Sequence, residues 1–310
     1  MTMPDSLPEV EWRGERVSRI ILGTAQLGMN YGVANVDGQP DPTRAREIVQ
    51  AAWEAGIRHF DTAQSYGTSE AMLGRALREL GIVGEARVAS KLALPADPAD
   101  VRTSIARSFE RLGVERLWCM MLHHPRHLDE WDGPLGEMLE EHRRAGRIEH
   151  LGVSLSPLED APRCLAHPAI EVLQLPCNAW DRRPMRLGII DNARKNGQLC
   201  CVRSIYLQGL LTMSPESIGA RLPAAEGASR AWHAFAASKN MSTKELAVRF
   251  GMTLGAPLVI GAETPEQIRA TIALARRGPL LVETIEELAA TIDPLVTDDI
   301  LEPWRWPPIK

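Results

Sequence analysis

The 310-residue chain lacks any run of about 18 apolar residues, so no membrane-spanning helix is expected. Met1 to Val10 carries prolines and acids but no apolar core, which argues against a secretory leader. There is no block of like charge. Thirty-five Lys and Arg are interspersed with 40 Asp and Glu for a net charge of −5. Neither nucleic acid nor an anionic membrane surface is an expected partner. Cysteine is sparse: Cys119, Cys164, Cys177, Cys200 and Cys201 form no C-x-x-C pair. An odd count with three members in apolar runs implies reduced thiols, hence a cytoplasmic home, and packing rather than a catalytic thiol. The chain also has no G-x-G-x-x-G, no P-loop and no H-E-x-x-H. His123, His124, His127 and His142 invite a metal reading. Only His124 and His127 have ligand-like spacing, Pro125 lies between them, and no carboxylate cluster accompanies them, so no metal is expected.

Apolar residues make up 45% of the chain, in short runs that alternate with longer amphipathic ones. The runs 19–22, 58–60, 87–90, 117–122, 151–153, 172–175, 199–204 and 258–260 read as buried strands. Helical patterns follow near 42–52, 71–80, 99–112, 135–145, 157–166, 185–196 and 231–238. Another opens at a capping box, Ser242-Thr243-Lys244-Glu245, and the last covers 265–275. Continuous apolar strands separated by helical crossovers are the signature of parallel pairing. Eight such units in series predict one α/β domain over 1–310, a (β/α)₈ TIM barrel. The tail from about 284 to 310, with Trp304 and Trp306, is expected to pack on it. An open doubly wound sheet is the alternative.

In a barrel, residues at or just beyond the strand ends hold the chemistry. Here they include Asp61, Tyr66, Lys91, His123, His124, Ser154, Gln174, Asn178 and Arg203. Asp61, Tyr66, Lys91 and one histidine form a coherent set. An isolated tyrosine is a poor acid at neutral pH. An ammonium beside it stabilises the phenolate, a carboxylate holds that ammonium charged, and a histidine orients a carbonyl. Taken singly, three have a structural reading: a loop cap for Asp61, packing for Tyr66, a structural role for the histidine; Lys91 is less easily dismissed, since its burial would be costly without a partner.

The run Gly56-Ile57-Arg58-His59-Phe60-Asp61-Thr62-Ala63-Gln64-Ser65-Tyr66-Gly67-Thr68-Ser69-Glu70, followed by Leu73-Gly74, resembles the signature of the aldo-keto reductases. The likeness continues through Ser90-Lys91, Leu122-His123-His124-Pro125, Leu151-Gly152-Val153-Ser154, Gln174-Leu175-Pro176-Cys177-Asn178 and Leu207-Gln208-Gly209-Leu210-Leu211, ending near Val259-Ile260-Gly261-Ala262. It implies a reductase that transfers hydride from a nicotinamide cofactor to an aldehyde, ketone or sugar carbonyl, with Tyr66 as proton donor and Asp61, Lys91 and His123 completing the catalytic set. His123 is preferred to His124 because it stands two residues before Pro125.

The resemblance further implies cofactor binding by Gly23, Thr24, Ser154, Gln174, Arg203, Leu207, Gln208, Gly209, Gly261 and Gln267. Arg203 stands where many members stack an aromatic ring on the nicotinamide. NADP(H) is the family's usual cofactor. Gly261 and Gln267 are uncharged where a Lys and an Arg often hold the 2′-phosphate, and Glu263 is nearby, so NAD(H) is the alternative; Arg269 is a further candidate cation. The stretch Gly23 to Asn35 is similar to bacterial relatives of surface-polysaccharide metabolism, which hints at a sugar-like carbonyl. Tyr31, His124 and Trp180 are expected around the substrate mouth. Two other readings use the same barrel: a cofactor-binding regulator without turnover, and a sugar epimerase or lyase.

Overall fold

The structure, a computed structural model, describes residues 7–93 and 100–307. Eight parallel strands close into a barrel: β3 (Ile20–Gly23), β4 (His59–Asp61), β5 (Arg87–Leu92), β6 (Leu117–Leu122), β7 (Ile148–Ser154), β8 (Val172–Pro176), β9 (Leu199–Arg203) and β10 (Leu258–Gly261), with β10 pairing back onto β3. This closure decides against the open sheet. Two further strands, β1 (Glu9–Trp12) and β2 (Glu15–Ser18), form an antiparallel hairpin ahead of the barrel.

The alternation of a pleated strand sorts side chains into two cores. Ile20, Leu22, Val88, Leu173, Val202, Leu258 and Ile260 face the helices and join the larger cluster. The residues between them, Ile21, Ala89, Cys119, Met121, Val172, Cys201 and Val259, form a second cluster inside the barrel. Trp12 and Val17 of the hairpin belong to this inner cluster, so the hairpin stoppers the N-terminal end. All five cysteines are buried thiols.

Helices fill the crossovers as the apolar spacing requires. Asp41 caps Pro42–Glu54 by accepting from the Arg44 amide at 2.8 Å. Ser242 caps Thr243–Thr253 by accepting from the Glu245 amide, as the capping box predicts. The helix expected from Ala99 runs Val101–Leu112; Ala99, like the first six and last three residues, lies outside the described ones. The expected 185–196 helix is two pieces, Arg183–Arg186 and Ile189–Lys195, parted at Gly188, whose φ of 65° no right-handed helix continues. Strand β7 begins three residues earlier than its apolar run because Glu149 and His150 interrupt the hydrophobic signal. The long connection after β9 carries an unanticipated helix, Pro215–Arg221, before Glu226–Ser238. Among the described residues no helix is long and apolar enough to cross a membrane.

Candidate active site

Two residues beyond the inner-cluster positions, the same pleat turns a second set of residues toward the barrel axis. Ala89 is followed by Lys91, Met121 by His123, Val172 by Gln174 and Cys201 by Arg203, and Ser154 stands two beyond Gly152, whose Cβ would meet Met121 of that cluster. Gly23, Asp61 and Gly261 end β3, β4 and β10. Each of the eight strands thus delivers one expected site residue at its C-terminal end. Asp61 and Lys91 are strand residues rather than loop residues; β5 extends past its apolar run to include the lysine.

Lys91 is fully buried. Its ammonium donates to Asp61 Oδ1 at 2.6 Å, to Asp61 Oδ2 at 2.8 Å and to the Thr62 carbonyl at 3.1 Å. Burial alone would lower its pKa, but the Asp61 charge, with Tyr66 and hydrogen bonding, outweighs that and raises it. Lys91 is therefore a fixed cation. Its Nζ stands 5.0 Å from the centre of the Tyr66 ring. The His123 ring meets Tyr66 edge-on with centroids 5.8 Å apart, and its Nδ1 lies 3.2 Å from Ser65 Oγ. Burial, then Lys91 and Arg203, push the His123 pKa down to about 3, so the ring is neutral across the physiological range.

The loop bearing Tyr66 is held tightly from below. A Cβ at Gly28 would sit 2.0 Å from the Tyr66 carbonyl oxygen, so only glycine permits this approach. Thr24 Oγ1 donates to the Asp61 carbonyl, and Ser69 Oγ to the Thr24 carbonyl. Thr24 thus lines the cleft while its hydroxyl braces the loop.

Two pockets meet at Tyr66 and Arg203. The first is a cleft lined by Gly23, Thr24, Asp61, Tyr66, Gln174, Arg203, Gln208, Gly209, Gly261 and Gln267, together with Lys244 and Glu263. The second opens at the mouth, bounded by Tyr31, Tyr66, His123, His124, Ser154, Ser156, Pro157, Arg203 and Trp304. Ser154 borders the mouth rather than the cleft, beside Gln174 in register. Gln174 spends its amide N–H on Asp61 Oδ2 at 2.8 Å, and its buried Oε1 has no partner among the described residues. An orphaned acceptor facing a cleft suits a donor such as a carboxamide NH₂.

The loop after β9 is wound through left-handed backbone at Ser204, Leu207, Gln208 and Gly209, with φ of 63°, 48°, 55° and 93°. Such conformations cluster at ligand sites. A Cβ at Gly209 would meet the Ala34 side chain at 2.7 Å.

Several of the expected residues are placed or engaged otherwise than expected. Trp180 is fully buried against Trp232, with ring centroids 6.5 Å apart, and takes no part in the mouth. Asn178 folds its turn inward by accepting from the Trp180 and Asp181 amides. Leu207 is also buried and absent from the cleft wall, and its amide donates to the Ser204 carbonyl at 2.8 Å. Gly209 lines the cleft, but its amide is spent on the Tyr206 carbonyl. Gln267 is likewise engaged, donating to Glu263 at 2.9 Å and accepting from the Glu263 amide, and Arg269 pairs with Glu266. Sequence reasoning missed Gln26, Tyr206 and Lys244 on the cleft and Ser156 at the mouth. Lys244 was visible only as part of a helix cap.

A parallel eight-stranded barrel with a buried carboxylate–ammonium pair beside a cleft-lining phenol defines a class of (β/α)₈ barrel whose titratable side chains gather at its C-terminal end. The Aldo/keto reductase family model matches residues 19–293, and the chain belongs to that family. It is 28% identical over 206 residues to the aldo-keto reductase str7 of Strobilurus tenacellus, covering 62% of this chain and 58% of that protein. It is 27% identical over 219 residues to the NADH-specific methylglyoxal reductase of Escherichia coli, covering 63% of this chain and 66% of that one. The matched region thus spans about three-fifths of the first of these relatives. Among solved structures, the aldo-keto reductase AKR11C1 of Bacillus halodurans superposes with a TM-score of 0.76 at 21% identity, over 97% of this chain and all of that one, a likeness of fold.

Proposed function

We propose that the chain is a nicotinamide-dependent reductase of aldehyde, ketone or sugar carbonyls, with Tyr66 as the proton donor. The observation that carries this is the Lys91–Asp61 pair at 2.6 Å with the Tyr66 ring 5.0 Å from the ammonium, between two pockets. The dinucleotide would lie in the cleft, held by Gln174 through its free Oε1 and bordered by Arg203, Gln208, Gly209 and Gly261. When bound in reduced form it supplies the hydride.

The chain's own groups manage the charge that hydride arrival creates on the carbonyl oxygen. Tyr66 gives that oxygen its proton. Lys91, kept charged by Asp61, stabilises the phenolate left behind. With Ser65 donating to His123 Nδ1, the neutral imidazole presents Nε2–H to the same oxygen and fixes the carbonyl. The buried walls keep water from the pair.

NADP(H) is the family's preference, and the exposed Lys244 on the cleft wall suits a 2′-phosphate. A specific contact favours NAD(H) as the second reading: Glu263 is held by Gln267 where that phosphate would approach, and an acidic side chain suits a free ribose hydroxyl. We also place the protein in the cytoplasm, on the cysteine argument above. Following reduced-dinucleotide absorbance with each cofactor against an aldehyde and sugar panel tests both points. Carbonyl-dependent oxidation supports the reductase, and the better cofactor decides the preference. Binding without oxidation supports the regulator. Product without net oxidation supports the epimerase.

A further inference from the structure

The mouth pocket has an unusual charge balance. Lys91 is neutralised by Asp61 at 2.6 Å. Arg203, which borders both pockets, has no carboxylate partner among the described residues, and its guanidinium makes one hydrogen bond among them, to Ser204 Oγ at 3.3 Å. Four of its five N–H donors are thereby left over. No Asp or Glu is among the described residues that line the mouth. A pocket for a neutral polyol needs acceptors for its hydroxyl hydrogens, and carboxylates usually provide them. The acceptors on this wall are neutral ones, two imidazoles and the hydroxyls of Tyr31, Tyr66, Ser154 and Ser156, and the charged group beside them is a guanidinium. A half-buried cation without a counter-charge is costly unless a ligand supplies one. Its field is felt locally: Arg203 is among the groups that lower the His123 pKa.

We propose that the carbonyl substrate carries an anionic group, a carboxylate or phosphate, and that Arg203 is its counter-ion in the mouth pocket. This rests on the reductase reading and gives it a substrate class. Arg203 is then a specificity-determining residue. A guanidinium can lay its flat face on a neighbouring ring and still donate from its edge, so bordering the cofactor cleft does not exhaust it. Trp304 and Tyr31 supply apolar faces for the rest of the substrate.

The test uses matched pairs with the full chain and one dinucleotide: 4-carboxybenzaldehyde against methyl 4-formylbenzoate, and glyceraldehyde 3-phosphate against glyceraldehyde. The quantity read is the ratio of kcat/KM within each pair, in which any change in cofactor affinity cancels. The expected ratio favours the anion by on the order of tenfold or more in at least one pair, and that pair identifies carboxylate or phosphate. Arg203→Gln should bring the ratio close to one, and Arg203→Lys should keep part of it. A wild-type ratio near one in both pairs, or a preference that survives Arg203→Gln, overturns the proposal. So does a variant that loses only dinucleotide affinity, which would assign the guanidinium to the cofactor's pyrophosphate. Should Arg203→Gln fail to fold, Arg203→Lys and the wild-type ratios still decide. If no aldehyde is turned over, the reductase reading falls separately. Tryptophan-fluorescence titration of the dinucleotide complex with 4-carboxybenzaldehyde and its ester analogue then judges the anion site: tighter binding of the acid supports it, equal binding overturns it.

Discussion

The two ends of the barrel hold similar charged groups and use them differently. At the N-terminal end, Glu15 from the hairpin accepts from His150 Nε2 at 2.8 Å, Arg87 at 2.8 Å and Trp118 at 3.2 Å. Glu171 meets the other ring nitrogen of His150 at 3.0 Å and pairs with Arg13. Both nitrogens of His150 and both oxygens of Glu15 are occupied within the protein. At the C-terminal end, the Asp61–Lys91 pair is more deeply buried than that network, yet Gln174 Oε1 and most of the Arg203 donors are unspent, and Tyr66 lines open space. One network is closed and seals the barrel. The other is deliberately incomplete, and incompleteness is what a ligand reads. Buried charge alone does not mark a site; buried charge with unused valence facing a cleft does.

This contrast can be broken at either end. The largest expected effect is on Tyr66. Tyr66→Phe removes the only proposed proton donor and should cut kcat by about 10²–10⁴-fold, with dinucleotide affinity near that of the wild type in a fluorescence titration. Lys91→Met comes next. It strands the Asp61 carboxylate in the interior, and urea denaturation should show a loss of about 3–5 kcal/mol together with loss of turnover. Gly209→Ala forces a side chain into φ 93° and against Ala34. A cost of about 1–3 kcal/mol, localised to the loop after β9, should appear as a raised dinucleotide Kd with kcat at saturation less affected.

The smallest effect belongs to the sealed end. Burial opposes protonation of His150, but its hydrogen bonds to Glu171 and Glu15 prevail, and its pKa is raised above its ordinary 6.5. Burial likewise opposes ionisation of Glu15 and Glu171, but the His150 contacts prevail and hold both below 4.5. The histidine's stabilisation is therefore complete below pH 6.5 and lost as pH rises through its folded value. That of the carboxylates is present above 4.5 and lost as pH falls through theirs. His150→Gln should cost about 1 kcal/mol near pH 6, after allowance for solvent screening. The loss should shrink as pH rises, with turnover unaltered. A Tm-versus-pH comparison reads it.

Much of this was legible in the sequence because a barrel exposes its chemistry at predictable places. Lys91 follows a buried run, Gln174 and Arg203 stand near the ends of theirs, and the pleat brings such residues to one end whatever their spacing along the chain. The Asp61-to-Glu70 motif fixed the loop as well. What stayed hidden has physical causes. Polar residues inside β7, chiefly His150, masked its start because they serve the plug rather than an apolar core. The hairpin is betrayed only by Arg13-Gly14 between two short alternating runs. Trp180 reads as a loop aromatic, and only the Asn178 turn reveals that the chain folds it inward. Leu207 shows that a positive-φ loop can present alternate residues: Gln208 lines the cleft while its neighbour packs below.

On the proposed function, the open network at the top of the barrel protonates a carbonyl as hydride arrives. Label transfer tests this. The chain is mixed with reduced dinucleotide bearing deuterium at the transferable C4 position and with 4-carboxybenzaldehyde, and the alcohol is examined by mass spectrometry. We predict deuterium at the carbinol carbon with the wild type, and at least 100-fold slower transfer with Tyr66→Phe. Alcohol formed without the label, or labelled alcohol formed at an undiminished rate by the Tyr66→Phe protein, would rule out Tyr66 as the donor to a hydride-accepting carbonyl.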